Sequence, residues 1–177
     1  MQKYFFTTPL IVFFCIVLVF LYFLIIQRDP AEIPSVLINK KAPAFQAESL
    51  LKDEIFIFQE KSGQEITVVN FFATWCVPCK LEHPFINKLS KDRGIKIIGI
   101  NYKDDRKKAI KWLEKLGNPY HSIAIDKNGN IGINWGVRGI PETFIVNSHN
   151  IVSYRQTGPI TNEIYEEFYQ KVLEGKK

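Results

Sequence analysis

The sequence predicts an α/β domain, a mixed central sheet flanked by helices, carried behind an N-terminal apolar helix. Three observations predict it. Residues 10–26 are apolar throughout apart from Cys15 and Tyr22, and no charged residue falls between Lys3 and Arg28. Between residues 66 and 116, β-branched and aromatic runs alternate with runs whose apolar residues recur at helical spacing. That is the pattern of parallel strands joined by crossover helices. Beyond residue 140, two strand-like runs flank a turn and one amphipathic run follows, which reads as an antiparallel hairpin and a closing helix.

The N-terminal run is long enough for the roughly 20 residues that cross a bilayer core as a helix. A cleavable signal peptide has an apolar stretch of only about 7–15 residues and a small-residue cleavage site. Here the run exits through Gln27-Arg28-Asp29-Pro30-Ala31-Glu32, which holds no such site. Residues 1–28 therefore read as an uncleaved transmembrane anchor. Residues 29–41, with two prolines, read as a linker, and residues 42–177 as the folded domain. Lys3 precedes the span while Arg28, Lys40 and Lys41 follow it, so charge asymmetry does not place the domain outside the cell.

In the domain, a first element near Phe45–Leu51 and the alternating run Ile55–Phe58 precede a turn at 61–64. Ile66–Phe72 is apolar enough for a strand buried on both faces. From Cys76 to about Lys91, Leu81, Phe85, Ile86 and Leu89 recur at helical spacing, Gly94 ends that helix, and Ile95–Ile100 is the next strand. Asp104 or Asp105 caps a helix to Leu116, with Ala109, Ile110, Trp112, Leu113 and Leu116 for its inner face; Gly117-Asn118-Pro119 stops it. Ile123–Ile125 is a short strand and 126–130 a turn. Thr143–Val146 and Ile151–Tyr154 form the hairpin, and Thr161 caps a last helix with Ile164, Phe168, Val172 and Leu173 inward. A parallel first half, an antiparallel second half and a closing helix make a thioredoxin-like fold.

Composition narrows the function. The chain has 23 Lys and Arg against 18 Asp and Glu in 177 residues, interleaved as in Lys103-Asp104-Asp105-Arg106-Lys107-Lys108. No aromatic residues are set among them to stack bases, so nucleic acid is a poor partner. Of three cysteines, Cys15 lies in the apolar run, leaving Cys76 and Cys79 as the thiols of the domain. A small domain stapled by disulfides carries more of them, spread along the chain.

Cys76 and Cys79 stand two residues apart where the strand 66–72 gives way to a helix. Thiol–disulfide exchange needs that geometry: one sulfur attacks and the other resolves the mixed disulfide. At a helix N-terminus, unpaired amides and the dipole lower the pKa of Cys76, while Cys79, one turn further, is more shielded. Half of a zinc site is the alternative. It needs four ligands, and His83, His121 and His149 are scattered. Glu82 shares a helical face with Cys79, so it serves either as a proton partner or as an ordinary surface carboxylate. Trp75 shields the thiolate or packs on a neighbouring loop. The segment Gly136-Val137-Arg138-Gly139-Ile140-Pro141-Glu142-Thr143-Phe144 places a proline just before a strand, compatible with a cis peptide.

Together, Trp75-Cys76-Val77-Pro78-Cys79, Glu82-His83, Gly99-Ile100-Asn101-Tyr102-Lys103-Asp104-Asp105, Leu116-Gly117-Asn118-Pro119-Tyr120 and the 136–144 segment resemble the thioredoxin superfamily. More narrowly, they resemble the DsbE/CcmG-type thiol:disulfide interchange proteins of cytochrome c biogenesis. The resemblance implies a Cys76/Cys79 dithiol and a cis-Pro141 facing it, whose neighbours present backbone groups to the substrate. It also implies that Glu82 and Glu142 are acids close to the thiols, and that neither cofactor nor metal is needed. Asn70 stands where thioredoxins carry a buried Asp, six residues before the first cysteine. The resemblance further implies a single-pass protein of the bacterial inner membrane with its domain in the periplasm. There it would act as a protein-disulfide reductase on apocytochrome c or a maturation thiol protein, re-reduced by a DsbD/CcdA-type membrane electron donor. Val77-Pro78 is shared with general thioredoxin-like reductases, so a general thioredoxin-like or peroxiredoxin-like antioxidant oxidoreductase is the alternative. A tethered binding module with a permanent disulfide is the non-enzymatic one.

Overall fold

The computed structural model describes residues 4–25, 37–59 and 66–175; the turn expected at 61–64 and residues 29–36 of the expected linker lie outside them. The chain divides into two units, Met1–Ile33 and Pro34–Lys177. The first contains helix α1, Tyr4–Ile25, with no acidic residue in its first turn and no basic one in its last. Apart from half-buried Val17, its large apolar side chains from Leu10 to Phe23 are exposed. Among the described residues no helix is long and apolar enough to cross a membrane.

The second unit is built on a five-stranded sheet in the order β5-β4-β3-β6-β7. Strands β3 (Ile66–Phe72), β4 (Ile95–Tyr102) and β5 (Ser122–Asp126) are parallel, while β6 (Glu142–Val146) and β7 (Val152–Thr157) are antiparallel additions. A separate hairpin, β1 (Phe45–Glu48) with β2 (Ile55–Phe58), forms a two-stranded sheet. The helices are α2 (Val77–Leu89), α3 (Arg106–Leu116), α4 (Asn130–Asn134) and α5 (Asn162–Glu174). This is the α/β architecture with a mixed sheet expected from the sequence.

Because side chains alternate across a strand, β3 feeds two cores. Val68 and Phe72 join Ile86, Leu89, Leu113, Phe168 and Val172 in one cluster. Val69 and Phe71 join Phe45, Phe58, Ile100, Trp135 and Phe144 in another. Asn70 falls between Val68 and Phe72, so it enters the core on the side that α2 covers.

The structure corrects the reading in several places. The linker was expected to reach residue 41, but the Asn39 amide donates to Val152 O and the Val152 amide to Lys40 O, while Leu37 and Ile38 pack on the second cluster. The folded unit therefore already includes residues 37–41. Leu81, expected inward, is 64% exposed. The buried face of α2 is Cys79, Glu82, His83, Ile86 and Leu89, because two polar residues take inner positions and turn Leu81 outward. The expected turn at 126–130 ends in α4. Asp126 accepts from the Ile131 and Gly132 amides and so starts a helix too short to show periodicity.

Candidate active site

After Phe72 the chain leaves the sheet, and Cys76 becomes the N-cap of α2 with extended backbone (φ −88, ψ 107). The Cys79 amide donates to Cys76 Sγ at 3.1 Å, the capping role that Ser or Asp usually fills. Pro78, without an N–H, sits in the first turn at no hydrogen-bond cost. The two cysteines are joined as a disulfide with Cα atoms 5.3 Å apart, and both are buried, Cys79 more fully. On reduction, the amide and helix terminus that face Cys76 Sγ favour its thiolate.

The loop in front of the cysteines is tied down by Asp104. Its carboxylate accepts from the Thr74 amide (2.7 Å), Thr74 Oγ1, Asn101 Nδ2 and the Asp105 amide. Trp75 is 58% exposed, and its Nε1 donates to Lys103 O. It packs on the neighbouring loop and leaves its ring open beside Cys76. The Asp104→Ala variant should lose about 2–3 kcal/mol of stability, from charge-assisted bonds to amides left without a partner; urea unfolding of the oxidised protein measures it.

The opposite wall is the loop before β6. The Ile140–Pro141 peptide is cis, and Ile140 O lies 3.5 Å from Cys76 Sγ. Glu142, an acid near the thiols on the resemblance, has its carboxylate engaged elsewhere. Oε1 accepts from the Arg138 and Gly139 amides and from Arg155, and Oε2 also meets the Arg155 guanidinium. Its contacts serve the loop and an ion pair.

Between β3 and the buried face of α2 that carries Cys79 and Glu82 lies a buried polar chain. Asn70 Nδ2 donates to Glu82 Oε1 (2.8 Å) and to Thr143 Oγ1, and Tyr120 OH donates to Asn70 Oδ1. Glu82 Oε2 accepts from the Ile160 amide. Gly99 makes the chain possible: a Cβ there would sit 2.9 Å from Phe72 and 3.0 Å from Tyr120, whose stacked rings bring the Tyr120 hydroxyl to Asn70. Burial raises the Glu82 carboxyl from 4.5 to about 7, against the lowering effect of the Asn70 and Ile160 hydrogen bonds. Burial, with the Glu82 charge, also raises the Tyr120 hydroxyl. His83 is a packing residue: its ring meets Trp112 at 4.3 Å and its Nε2 donates to Gly117 O. Burial lowers its pKa.

Cys76, Cys79, Pro141 and Glu82 thus converge on one place, and Glu142 backs the loop that carries Pro141. Of the two cap candidates for α3, Asp105 is the cap and Asp104 instead holds the loop before Cys76, while the 116–120 motif gives Tyr120 no role of its own. Arg155 was missed, although it is the one cation in β7. Among the described residues, no group of three or more His, Cys, Asp or Glu could hold a metal.

The family model named Redoxin matches residues 37–173. The chain is 40% identical to the thiol:disulfide interchange protein DsbE of Escherichia coli K12, over 90% of this chain and 88% of that one. To the DsbE of Pseudomonas fluorescens biotype C it is 39% identical, over 94% and 92%. The chain belongs to the DsbE-type thiol:disulfide interchange proteins. It is therefore a thiol:disulfide oxidoreductase of the thioredoxin superfamily. Among solved structures, a thioredoxin-family thiol:disulfide interchange protein from Chlorobium tepidum superposes with a TM-score of 0.64 at 23% identity, covering 77% of this chain and 96% of that one. A secreted thiol-disulfide isomerase from Corynebacterium glutamicum gives 0.67 at 16%, covering 76% and 84%. These two share the fold. In a DsbE-type site the Cys76–Cys79 bond is the oxidised half of a working couple.

Proposed function

We propose that this DsbE-type protein is a dedicated reductant of cytochrome c assembly. Residues 1–28 hold it in the bacterial inner membrane with its domain in the periplasm. It reduces a disulfide of apocytochrome c or of a maturation thiol protein. The Cys76 thiolate attacks a sulfur of the target and forms a mixed disulfide. Cys79 then attacks Cys76 Sγ, so the target leaves as a dithiol and Cys76–Cys79 leaves oxidised. Two electrons and two protons pass to the target, and a DsbD/CcdA-type membrane carrier restores the dithiol.

The observation that carries this reading is the DsbE kinship over nine-tenths of the chain, with the family's segments gathered around one disulfide. The uncharged run from residue 4 to 27 supports the anchor, since a helix of that length measures about 35 Å. The Redoxin match favours a second reading, a general or peroxide-reducing oxidoreductase.

The Cys79→Ser variant tests both. It keeps the attacking thiol and lacks the resolving one, so it should accumulate a mixed disulfide with a cytochrome c maturation protein. Recovery of many unrelated proteins, together with rapid wild-type turnover of insulin or hydrogen peroxide, favours the second reading.

A further inference from the structure

Arg155 lies on β7, and no sequence motif drew attention to it. Its side chain is 7% exposed, and that of its partner Glu142 is 1% exposed. The fork is bidentate: Nε donates to Glu142 Oε2 at 3.0 Å and an Nη donates to Oε1 at 2.8 Å. The same Nη donates to Gly136 O. Glu142 Oε1 in turn accepts from the amides of Arg138 and Gly139. The pair therefore grips the 136–139 backbone at three points, one carbonyl and two amides. The next residue is Ile140, whose carbonyl lies beside Cys76 Sγ. On the far side of Pro141, the Gly158 amide donates to the Pro141 carbonyl.

We infer that Arg155 is a positioning residue for substrate engagement: through Glu142 and Gly136 it fixes the 136–141 loop so that its outer edge faces a peptide chain held at Cys76. Two features separate this from a simple stabilising pair. A buried pair placed for stability alone is readily replaced by apolar residues, yet this one spends its hydrogen bonds on a loop with exposed residues at 138 and 139. The guanidinium also supplies a planar fork that a lysine cannot copy. The inference rests on thiol exchange at Cys76, and not on which disulfide is the target.

The test compares two probes with the reduced full-length protein in detergent. One is a disulfide-linked cysteine peptide, which lies along the loop. The other is the small aromatic disulfide DTNB, which needs only the thiolate. Arg155→Lys keeps the buried cation but loses the fork. It should lower kcat/KM for the peptide about tenfold, mainly through KM, as expected when a few hydrogen bonds lose their geometry, and change the DTNB rate less than about twofold. The double variant Arg155→Met/Glu142→Gln removes both charges and should keep the peptide defect. Wild-type peptide kinetics in either folded variant overturn the inference, and so does an equal fall with both probes. Wild-type protein inert to both probes would instead count against the oxidoreductase assignment itself.

Discussion

Cys76→Ser should abolish disulfide exchange while leaving the fold as stable as the reduced wild type. A serine hydroxyl does not ionise near neutral pH, so the attacking anion is lost, and removal of a nucleophile typically costs a factor of about 10⁴ or more. The cap itself survives, because serine is a preferred N-cap and its oxygen can accept the Cys79 amide that Cys76 Sγ now accepts. Only the constraint of the disulfide disappears. Closing so short a loop is worth about 2 kcal/mol in the chain-entropy model. The variant should therefore unfold in urea with reduced wild type, below oxidised wild type by about that amount. Stopped-flow reduction of DTNB at pH 7 reads the activity. Residual exchange within tenfold of wild type would move the nucleophile to Cys79.

That outcome hangs on a placement already legible in the sequence. The strand Ile66–Phe72, the cysteine pair at the start of a helix, and a cap of α3 at Asp104 or Asp105 are all local signals. The first two are found where periodicity puts them, and of the two cap candidates the structure uses Asp105. What stayed hidden was made of long-range polar contacts. Asn70 and Glu82 are 12 residues apart and Glu82 and Ile160 are 78 apart; no spacing rule joins them. Helical spacing alone leaves Glu82 as either a proton partner of Cys79 or a surface carboxylate, since carboxylates are seldom buried unpaired. The fold shows its carboxyl buried on the face of α2 that also carries Cys79. Glu142 also owes its contacts to residues distant in sequence. The resemblance implies an acid close to the thiols there, and in the structure Arg155, on the adjacent strand, holds that charge against the loop. Leu81 failed for a related reason, since apolar periodicity assigns inner positions to apolar residues and α2 gives two of them to Glu82 and His83.

Glu82→Gln should flatten the pH dependence of both stability and thiol release. In the folded protein the Glu82 carboxyl rises from 4.5 to about 7, with burial as the dominant cause. The folded state thus holds this proton more tightly than the unfolded one. The stability linked to it is fully present below pH 4.5, is lost as pH rises through about 7, and stays lost above that. The shift corresponds to about 3 kcal/mol, so wild-type unfolding free energy should fall by that order between pH 4 and pH 8. Glutamine has the donors and acceptors of the protonated acid, so the variant should match wild type near pH 4 and exceed it at pH 8. Catalysis runs the other way. Glu82 lies one turn from Cys79 on the same buried face of α2, where its carboxylate can take the Cys79 proton as that sulfur attacks Cys76. General-base assistance is worth about 10²-fold or more. Glu82→Gln should therefore leave the first attack on DTNB near the wild-type rate, slow resolution of a preformed mixed disulfide by about that factor, and remove the inflection near pH 7 from its rate profile. An unfolding free energy that still falls with pH in the variant would assign the titration to another group. A surviving inflection in the resolution step would take the proton transfer away from Glu82.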